Sequence, residues 1–269
     1  MLGDPIAHSL SPVLHRAGYA AVGLDWAYDA QRVAADGLPA FLGGLDDTWR
    51  GLSLTMPLKR TARALASTVT DRAALAGAAN TLVLEGGEVV LADNTDLPGA
   101  VAAVRERYAG PVTAGTVLGG GATAASTGLA LCELGATSVT LLVRSPERAA
   151  EAVTAIARHP SGPTVTVGSL AGDPIHGEVV VSTVPAAAQD PELVARCAGA
   201  PVLFEVLYDP WPTPLAAAAT DAGQVLVAGL DLLVHQAALQ FELFTGVPGP
   251  LDAMRAAGQA ALDGRRAVG

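Results

Sequence analysis

The sequence predicts an α/β protein of two α/β domains, the second of the doubly wound, Rossmann type that binds a dinucleotide. Three observations predict it. Short apolar stretches recur through the second half (Thr116 to Leu118, Val139 to Val143, Val165 to Val167, Val179 to Val181, Val202 to Val206, Val225 to Val227) and alternate with helical segments. That is the pattern of a parallel sheet covered on both faces. The first of these strands runs into Gly119, Gly121 and Ala124, a G-x-G-x-x-A spacing that lets a backbone approach a pyrophosphate at a helix N-terminus. At 269 residues, with 51% apolar and 16% charged side chains, the chain can bury the core of one large or two small domains.

The elements follow in order. Met1-Leu2-Gly3 reads as an N-terminal strand cut short. A helix is expected over Pro12 to Val22, with Ser11 as N-cap and Pro12 at the first helical position. Trp26 to Ala30 is a candidate strand, Leu38 to Leu42 a short helix, and Gly51 to Leu54 a strand ended by Thr55-Met56-Pro57. Asp71 to Ala76 is helical; Thr81 to Leu84 and Val89 to Ala92 are strands around Gly86-Gly87, a favoured two-residue hairpin turn. Leu97, Ala100, Val101 and Val104 give Leu97 to Tyr108 a helical period, and this helix is expected to cross between domains. The regular half then begins: strand, glycine turn, helix to Leu134 closed by Gly135, strand to Val143, and a helix starting at Ser145-Pro146-Glu147. Leu230 to Thr245 is an amphipathic helix ending at Gly246, and Leu251 to Leu262 is another. The expected division is a substrate-binding catalytic domain over 1–97, a nucleotide domain over 98–230, and C-terminal helices over 231–269 that return to the first domain.

A formal net charge of -10 argues against nucleic acid or an anionic membrane as partner. Tyr108 to Cys132 is uncharged and long enough to span a bilayer, but Pro111 and Gly119 to Gly121 would leave backbone groups unpaired in lipid. Asp4 and Pro5 interrupt any signal-peptide pattern, so the expected location is cytoplasmic. Cys132 and Cys197 read as buried free thiols. His8 and His15 lack metal-ligand spacing, no metal is expected, His235 reads as a packing residue and Trp211 as a loop anchor.

Chemistry enters through position. The glycine stretch is either a tight structural turn or a dinucleotide cradle. After such a cradle, the end of the next strand faces the adenosine ribose, where an acid binds a free 2'-hydroxyl and a basic residue accommodates a 2'-phosphate. Arg144 stands there, with Arg148 four residues on. Either both bind a phosphate, which would favour NADP(H) over NAD by about ten-fold or more, or both are solvated surface arginines. In the other half Ser9, Ser11, Lys59, Asn80-Thr81 and Asp93-Asn94-Thr95-Asp96 put polar groups where a core would not want them. Each has an ordinary explanation: Ser11 and Asp96 as helix caps, Lys59 as a surface charge. Jointly they supply what hydride chemistry on a carbonyl needs, namely a proton donor, an acid to orient it, and hydroxyl and amide groups to fix a polyol.

The segments Gly3-Asp4-Pro5-Ile6-Ala7-His8-Ser9-Leu10-Ser11-Pro12, Leu54-Thr55-Met56-Pro57-Leu58-Lys59, Gly77-Ala78-Ala79-Asn80-Thr81, Asp93-Asn94-Thr95-Asp96 and Tyr208-Asp209-Pro210-Trp211-Pro212-Thr213-Pro214-Leu215 together resemble the shikimate dehydrogenase family. Leu232-Leu233-Val234-His235-Gln236-Ala237 with Phe244-Thr245-Gly246 resembles the family's C-terminal motif, so the likeness covers nearly the whole chain in the right order. The resemblance implies NADPH-dependent, reversible reduction of 3-dehydroshikimate to shikimate, with Lys59 and Asp96 as the catalytic pair. It further implies that Ser9, Ser11, Thr55, Asn80, Tyr208 and Gln236 contact the substrate. Gly119, Gly120, Gly121, Ala122, Thr123, Ala124, Arg144, Ser145, Arg148, Ser182, Thr183, Val184 and Gly229 match the cofactor side. The chain departs from the family pattern at several points. Arg16, Ser53 and Val143 replace Asn, Ala92 replaces Gly, Ser182-Thr183-Val184 stands for an Asn-Ala-Thr-like loop, and Asp231 is an acid where none is usual. Quinate or aminoshikimate as substrate, and a catalytically silent NADP-binding sensor, are the competing readings; the family admits both monomers and homodimers.

Overall fold

In the computed structural model, which describes residues 1–268, a strand β1 (Leu2–Gly3) leads to helix α1 (Ser11–Ala21). The first unit then runs through β2 (Gln31–Arg32), α2 (Leu38–Leu42), β3 (Gly51–Ser53), α3 (Lys59–Arg63), β4 (Thr68–Val69), α4 (Asp71–Ala76), β5 (Thr81–Glu85) and β6 (Glu88–Asp93). Gly269, the end of the expected 231–269 segment, lies outside the described residues. β1 pairs in parallel with β2 and makes a parallel bridge from Leu2 to Leu54, while β3, β5, β6 and β4 form a sheet in that order. The hairpin turn between β5 and β6 uses φ values of 58° and 81° at Gly86 and Gly87, which only glycine adopts without strain. Leu52, Leu54, Leu58, Leu82 and Leu84 are buried together beneath this sheet.

Three expectations here are corrected. Trp26 to Ala30 is not a strand: the β1–β2 ladder takes in only Gln31 and Arg32, so the residues before them have no ladder partner. Trp26 and Tyr28 instead line a cavity of about 430 Å³ with Tyr19, Trp49 and Phe244. Ser11 is the first residue of α1 and not its cap; its amide donates to Ser9 Oγ at 3.3 Å, so Ser9 serves the exposed end. Asp96 likewise lies inside its helix, at the first position. The single-turn helix α3 and the short strand β4 had no periodicity long enough to announce them.

The second unit comprises α5 (Asp96–Arg107), β7 (Ala114–Leu118), α6 (Ala122–Glu133), β8 (Ser138–Val143), α7 (Pro146–Ala157), β9 (Thr164–Ser169), β10 (Val179–Ser182), α8 (Pro191–Cys197), β11 (Val202–Glu205), α9 (Pro214–Asp221) and β12 (Val225–Val227). Among the described residues its strands form one parallel sheet in the order β9-β8-β7-β10-β11-β12. Numbered within the unit that order is 3-2-1-4-5-6, the doubly wound arrangement. Central strands covered on both faces are largely apolar: Val117, Leu118, Val139, Leu141, Val179, Val180 and Val181 are all fully buried. Helix α10 (Gly229–Thr245) carries the chain back, and α11 (Leu251–Val268) packs on α1. The two units are Asp96–Leu232 and the rest, the latter made of residues from Met1 to Thr95 and those from Leu233 onward. No helix among the described residues is long and apolar enough to cross a membrane.

Candidate active site

The end of β3, the start of β5 and the end of β6 meet at one edge of the first unit's sheet, because β5 runs antiparallel to both neighbours. Backbone bonds fix the segments that leave this edge: Leu54 N donates to Asn80 O at 2.7 Å, Asn80 N to Asp93 O at 3.0 Å, and Ala79 N to Lys59 O at 2.7 Å. Thr55, Lys59, Asn80 and Thr95 are thereby gathered around one point. Gln236, on α10, closes the group. Asn80 Nδ2 donates to Thr95 Oγ1 at 2.9 Å and to Gln236 Oε1 at 3.2 Å, while Asn80 Oδ1 accepts from Thr95 N at 2.8 Å. Asn80, Thr95 and Gln236 are buried, and Lys59, at the first position of α3, is half-buried, its carbonyl bonded to the amide that precedes Asn80. Ser9 and Ser11 flank the start of α1, Ser9 half-buried and Ser11 buried.

The loop bearing Thr95 is anchored by Asp93. Its carboxylate accepts from Arg72 through both oxygens, from Thr70 Oγ1 at 2.6 Å and from the Asn94 amide at 2.7 Å. Burial by itself would push the Asp93 carboxyl up. The Arg72 and Thr70 bonds outweigh it and hold the pKa below the usual carboxylate range, so the anchor is ionised when it works.

Asp96 and Tyr208 belong to the second unit, where Asp96 is 6% exposed in the first turn of α5 and Tyr208 is half-buried in the loop after β11. That loop is organised by Glu205, which is fully buried and accepts from Gln189 Nε2 (2.7 Å), Thr213 Oγ1 (2.9 Å) and Leu207 N (3.1 Å). Burial pushes the Glu205 pKa up against those bonds.

The glycine turn sits at the switch point of the second sheet, between β7 and β10, where chain order reverses. Gly119 has φ +117°, and a Cβ there would fall 2.2 Å from Thr183 Oγ1; a Cβ on Gly120 would lie 2.7 Å from Ala149 Cβ. Gly121 differs, since nothing lies within 4 Å of where its Cβ would be. It precedes α6, whose first turn has no side-chain cap, and Ala122 and Thr123 open that turn while Ala124 is buried beneath it. Ser182 ends β10, and Thr183 after it donates from Oγ1 to Leu118 O at 2.8 Å, locking the two switch-point strands together ahead of buried Val184. Arg144 follows β8 directly and is exposed, as is Arg148 in the first turn of α7; between them Ser145 Oγ donates to Glu147 at 2.6 Å. Gly229 has a packing reason of its own, because a Cβ there would lie 2.4 Å from Leu207 O.

These features match a family. Residues 1–82 fit the shikimate dehydrogenase substrate binding domain and residues 229–257 the shikimate 5'-dehydrogenase C-terminal domain. A shikimate dehydrogenase (NADP(+)) of Caulobacter vibrioides is 36% identical over 92% of this chain and 90% of its own length. The chain belongs to the shikimate dehydrogenase family. The crystal structure of Mycobacterium tuberculosis shikimate dehydrogenase is 41% identical and superposes with a TM-score of 0.87 over 96% of this chain and 97% of that one. The Thermus thermophilus shikimate 5-dehydrogenase, solved in complex with NADP(H) and shikimate, is 28% identical with a TM-score of 0.81 over 97% of each chain.

Some polar residues of the first unit carry little signal in the sequence. Thr95 stands out in the sequence only as part of its motif. Gln240 lies four residues after Gln236, on the same face of α10, and two amides at that spacing in a largely apolar stretch are the signal the sequence offers.

Proposed function

We propose that this shikimate dehydrogenase family member catalyses reversible, NADP(H)-dependent reduction of 3-dehydroshikimate to shikimate. The observation that carries the reading is the buried amide and hydroxyl cluster of Asn80, Thr95 and Gln236 with Lys59 at its edge, a set of donors and acceptors suited to a polyol ring. Residues 1–97 and 231–269 would bind the substrate and 98–230 the cofactor.

The residues at the switch point suit a dinucleotide. Gly119 supplies the positive-φ turn packed against Thr183, Gly121 presents open space before an uncapped helix start, and Arg144 and Arg148 supply cations where a 2'-phosphate requires them. Gly119 to Ala124, Arg144, Ser145, Arg148, Ser182 to Val184 and Gly229 would hold NADP(H), which when bound supplies or takes the hydride at the substrate's carbonyl carbon. Lys59 gives a proton to the carbonyl oxygen during reduction and takes it back during oxidation. Asp96, the other member of the pair that the family resemblance implies, would orient that lysine. Ser9, Ser11, Thr55, Asn80, Tyr208 and Gln236 fix the substrate's carboxylate and hydroxyls, placing the reacting carbon without taking part in proton transfer.

Steady-state oxidation of shikimate and of quinate, each with NADP+ and with NAD+, tests this. Shikimate with NADP+ is expected to give the highest kcat/KM. Faster turnover of quinate would replace the substrate, equal use of NAD+ would remove the role of Arg144 and Arg148, and no turnover in any combination would favour a cofactor-binding sensor.

A further inference from the structure

Behind the Asn80 cluster, the first unit carries a second set of buried hydrogen bonds that the roles above do not use. Tyr28 Oη donates to Ser53 Oγ at 2.6 Å, and Ser53 Oγ donates to Gln240 Oε1 at 2.7 Å. Gln240 Nε2 donates to Thr81 Oγ1 at 2.9 Å and to Asn80 O at 3.1 Å, and Thr81 Oγ1 donates to Asn80 Oδ1 at 2.8 Å. Tyr28, Ser53, Asn80, Thr81 and Gln240 are all buried. The Tyr28 ring stacks on His15, 4.2 Å between centroids and 7° from parallel.

The inventory of donors and acceptors gives this relay a single direction. The carbonyl of Asn80 can only accept, so the amide nitrogen of Gln240 must face it, and Gln240 Oε1 must face Ser53. Ser53 has one hydrogen and spends it on Gln240, which leaves its oxygen to receive Tyr28's hydrogen. At the other end Thr81 receives from Gln240 and spends its own hydrogen on Asn80 Oδ1. With that oxygen held by Thr81 and by the Thr95 amide, Asn80 Nδ2 can point only toward Thr95 Oγ1 and Gln236 Oε1. A reversed Asn80 amide would set its nitrogen against the Thr95 N–H and its oxygen against Gln236 Oε1 in a buried site.

We propose that Ser53 and Gln240, anchored by Tyr28, are positioning residues that hold the Asn80 amide, and through it the Gln236 side chain, in place before substrate arrives, without touching substrate themselves. The proposal rests on the assignment of Asn80 and Gln236 as substrate-binding groups. Ser53→Ala leaves Gln240 Oε1 without its donor, and Gln240→Met, of similar volume, removes the amide altogether. Each variant, once thermal unfolding shows it folded, is expected to raise KM for shikimate roughly five- to twenty-fold, with kcat and KM for NADP+ within about two-fold of the unmodified chain. Ser53→Asn, whose amide offers both a donor and an acceptor, is expected to return KM to within about three-fold. Folded variants with unchanged KM would overturn the proposal, as would a loss confined to kcat or to stability. Ser53→Asn behaving like Ser53→Ala would tie the effect to side-chain volume and overturn it too. If the unmodified chain does not turn over shikimate, the functional reading falls and this proposal with it. That result is distinct from turnover by the unmodified chain with variants that share its KM.

Discussion

At the scale of single residues, Lys59 and His15 make opposite use of burial. Lys59 is half-buried at the edge of the Asn80 cluster, accessible enough to exchange a proton. If it is the general acid, Lys59→Ala loses about 10²–10⁴-fold in kcat with a smaller change in KM, and steady-state kinetics that find near-normal kcat would remove it from the mechanism. His15 is fully buried against Tyr28, Phe241 and Phe244, and neither ring nitrogen has a hydrogen-bond partner of ordinary geometry. Burial, opposed by Gln240, pushes its pKa down to about 3 from 6.5. The unfolded chain therefore binds this proton first. The stability the neutral ring contributes is whole above pH about 6.5 and is lost as pH falls toward 3, by up to about 1.4 kcal/mol per pH unit. His15→Phe keeps a ring against Tyr28 and removes the titration. Between pH 7 and pH 5 its Tm is expected to fall less than that of the unmodified chain, and parallel curves would show that His15 does not titrate on unfolding.

At the scale of elements, the turn from β7 into α6 separates two jobs that one glycine motif conceals. Gly119→Ala forces a side chain into φ +117° and within 2.2 Å of Thr183 Oγ1, which is bonded to Leu118 O, so a stability loss of about 1–3 kcal/mol is expected together with weaker NADP+ binding. Gly121, with φ -85° and open space at its Cβ, should accept alanine without loss of Tm while KM for NADP+ rises. Chemical denaturation paired with cofactor kinetics checks both; equal losses of Tm would mean that both glycines serve only the turn. The β7-α6-β8-α7 run was legible because each element is long enough to show its period and each turn names itself through glycine or proline. Trp26 to Ala30 has a strand's composition, but a strand exists only through its partner, and partnering is not local. The same limit applies to the site. Asn80 stands out as a polar residue at a strand start, Gln236 through resemblance and Ser53 as a departure from the family's Asn, but nothing local joins Tyr28, Ser53 and Gln240, because the Ser53–Gln240 bond spans 187 positions of sequence.

At the scale of the whole molecule, the order of the chain makes one unit depend on its last helices. The unit holding Thr55, Lys59 and Asn80 is interrupted after Thr95 and resumes at Leu233, whereas Asp96 to Leu232 is continuous. Helix α11 lies along α1 and buries Met254 and Leu262, and Arg265 reaches the carbonyl of His8, next to Ser9. Burial of those two apolar side chains contributes about 1.5–3 kcal/mol each, a large share of a domain stability of about 5–15 kcal/mol. Ending the chain at Pro250 should therefore unfold or loosen the discontinuous unit and leave the continuous one standing. Ligands report each unit separately, because a ligand at about 100 times its Kd stabilises the fold that binds it by about 2.7 kcal/mol. In calorimetry of the truncated chain, shikimate is expected to give no shift in Tm while NADP+ still gives one. Loss of both shifts together would show that the two units unfold as a single cooperative body, and retention of both would show that α11 is dispensable to the first.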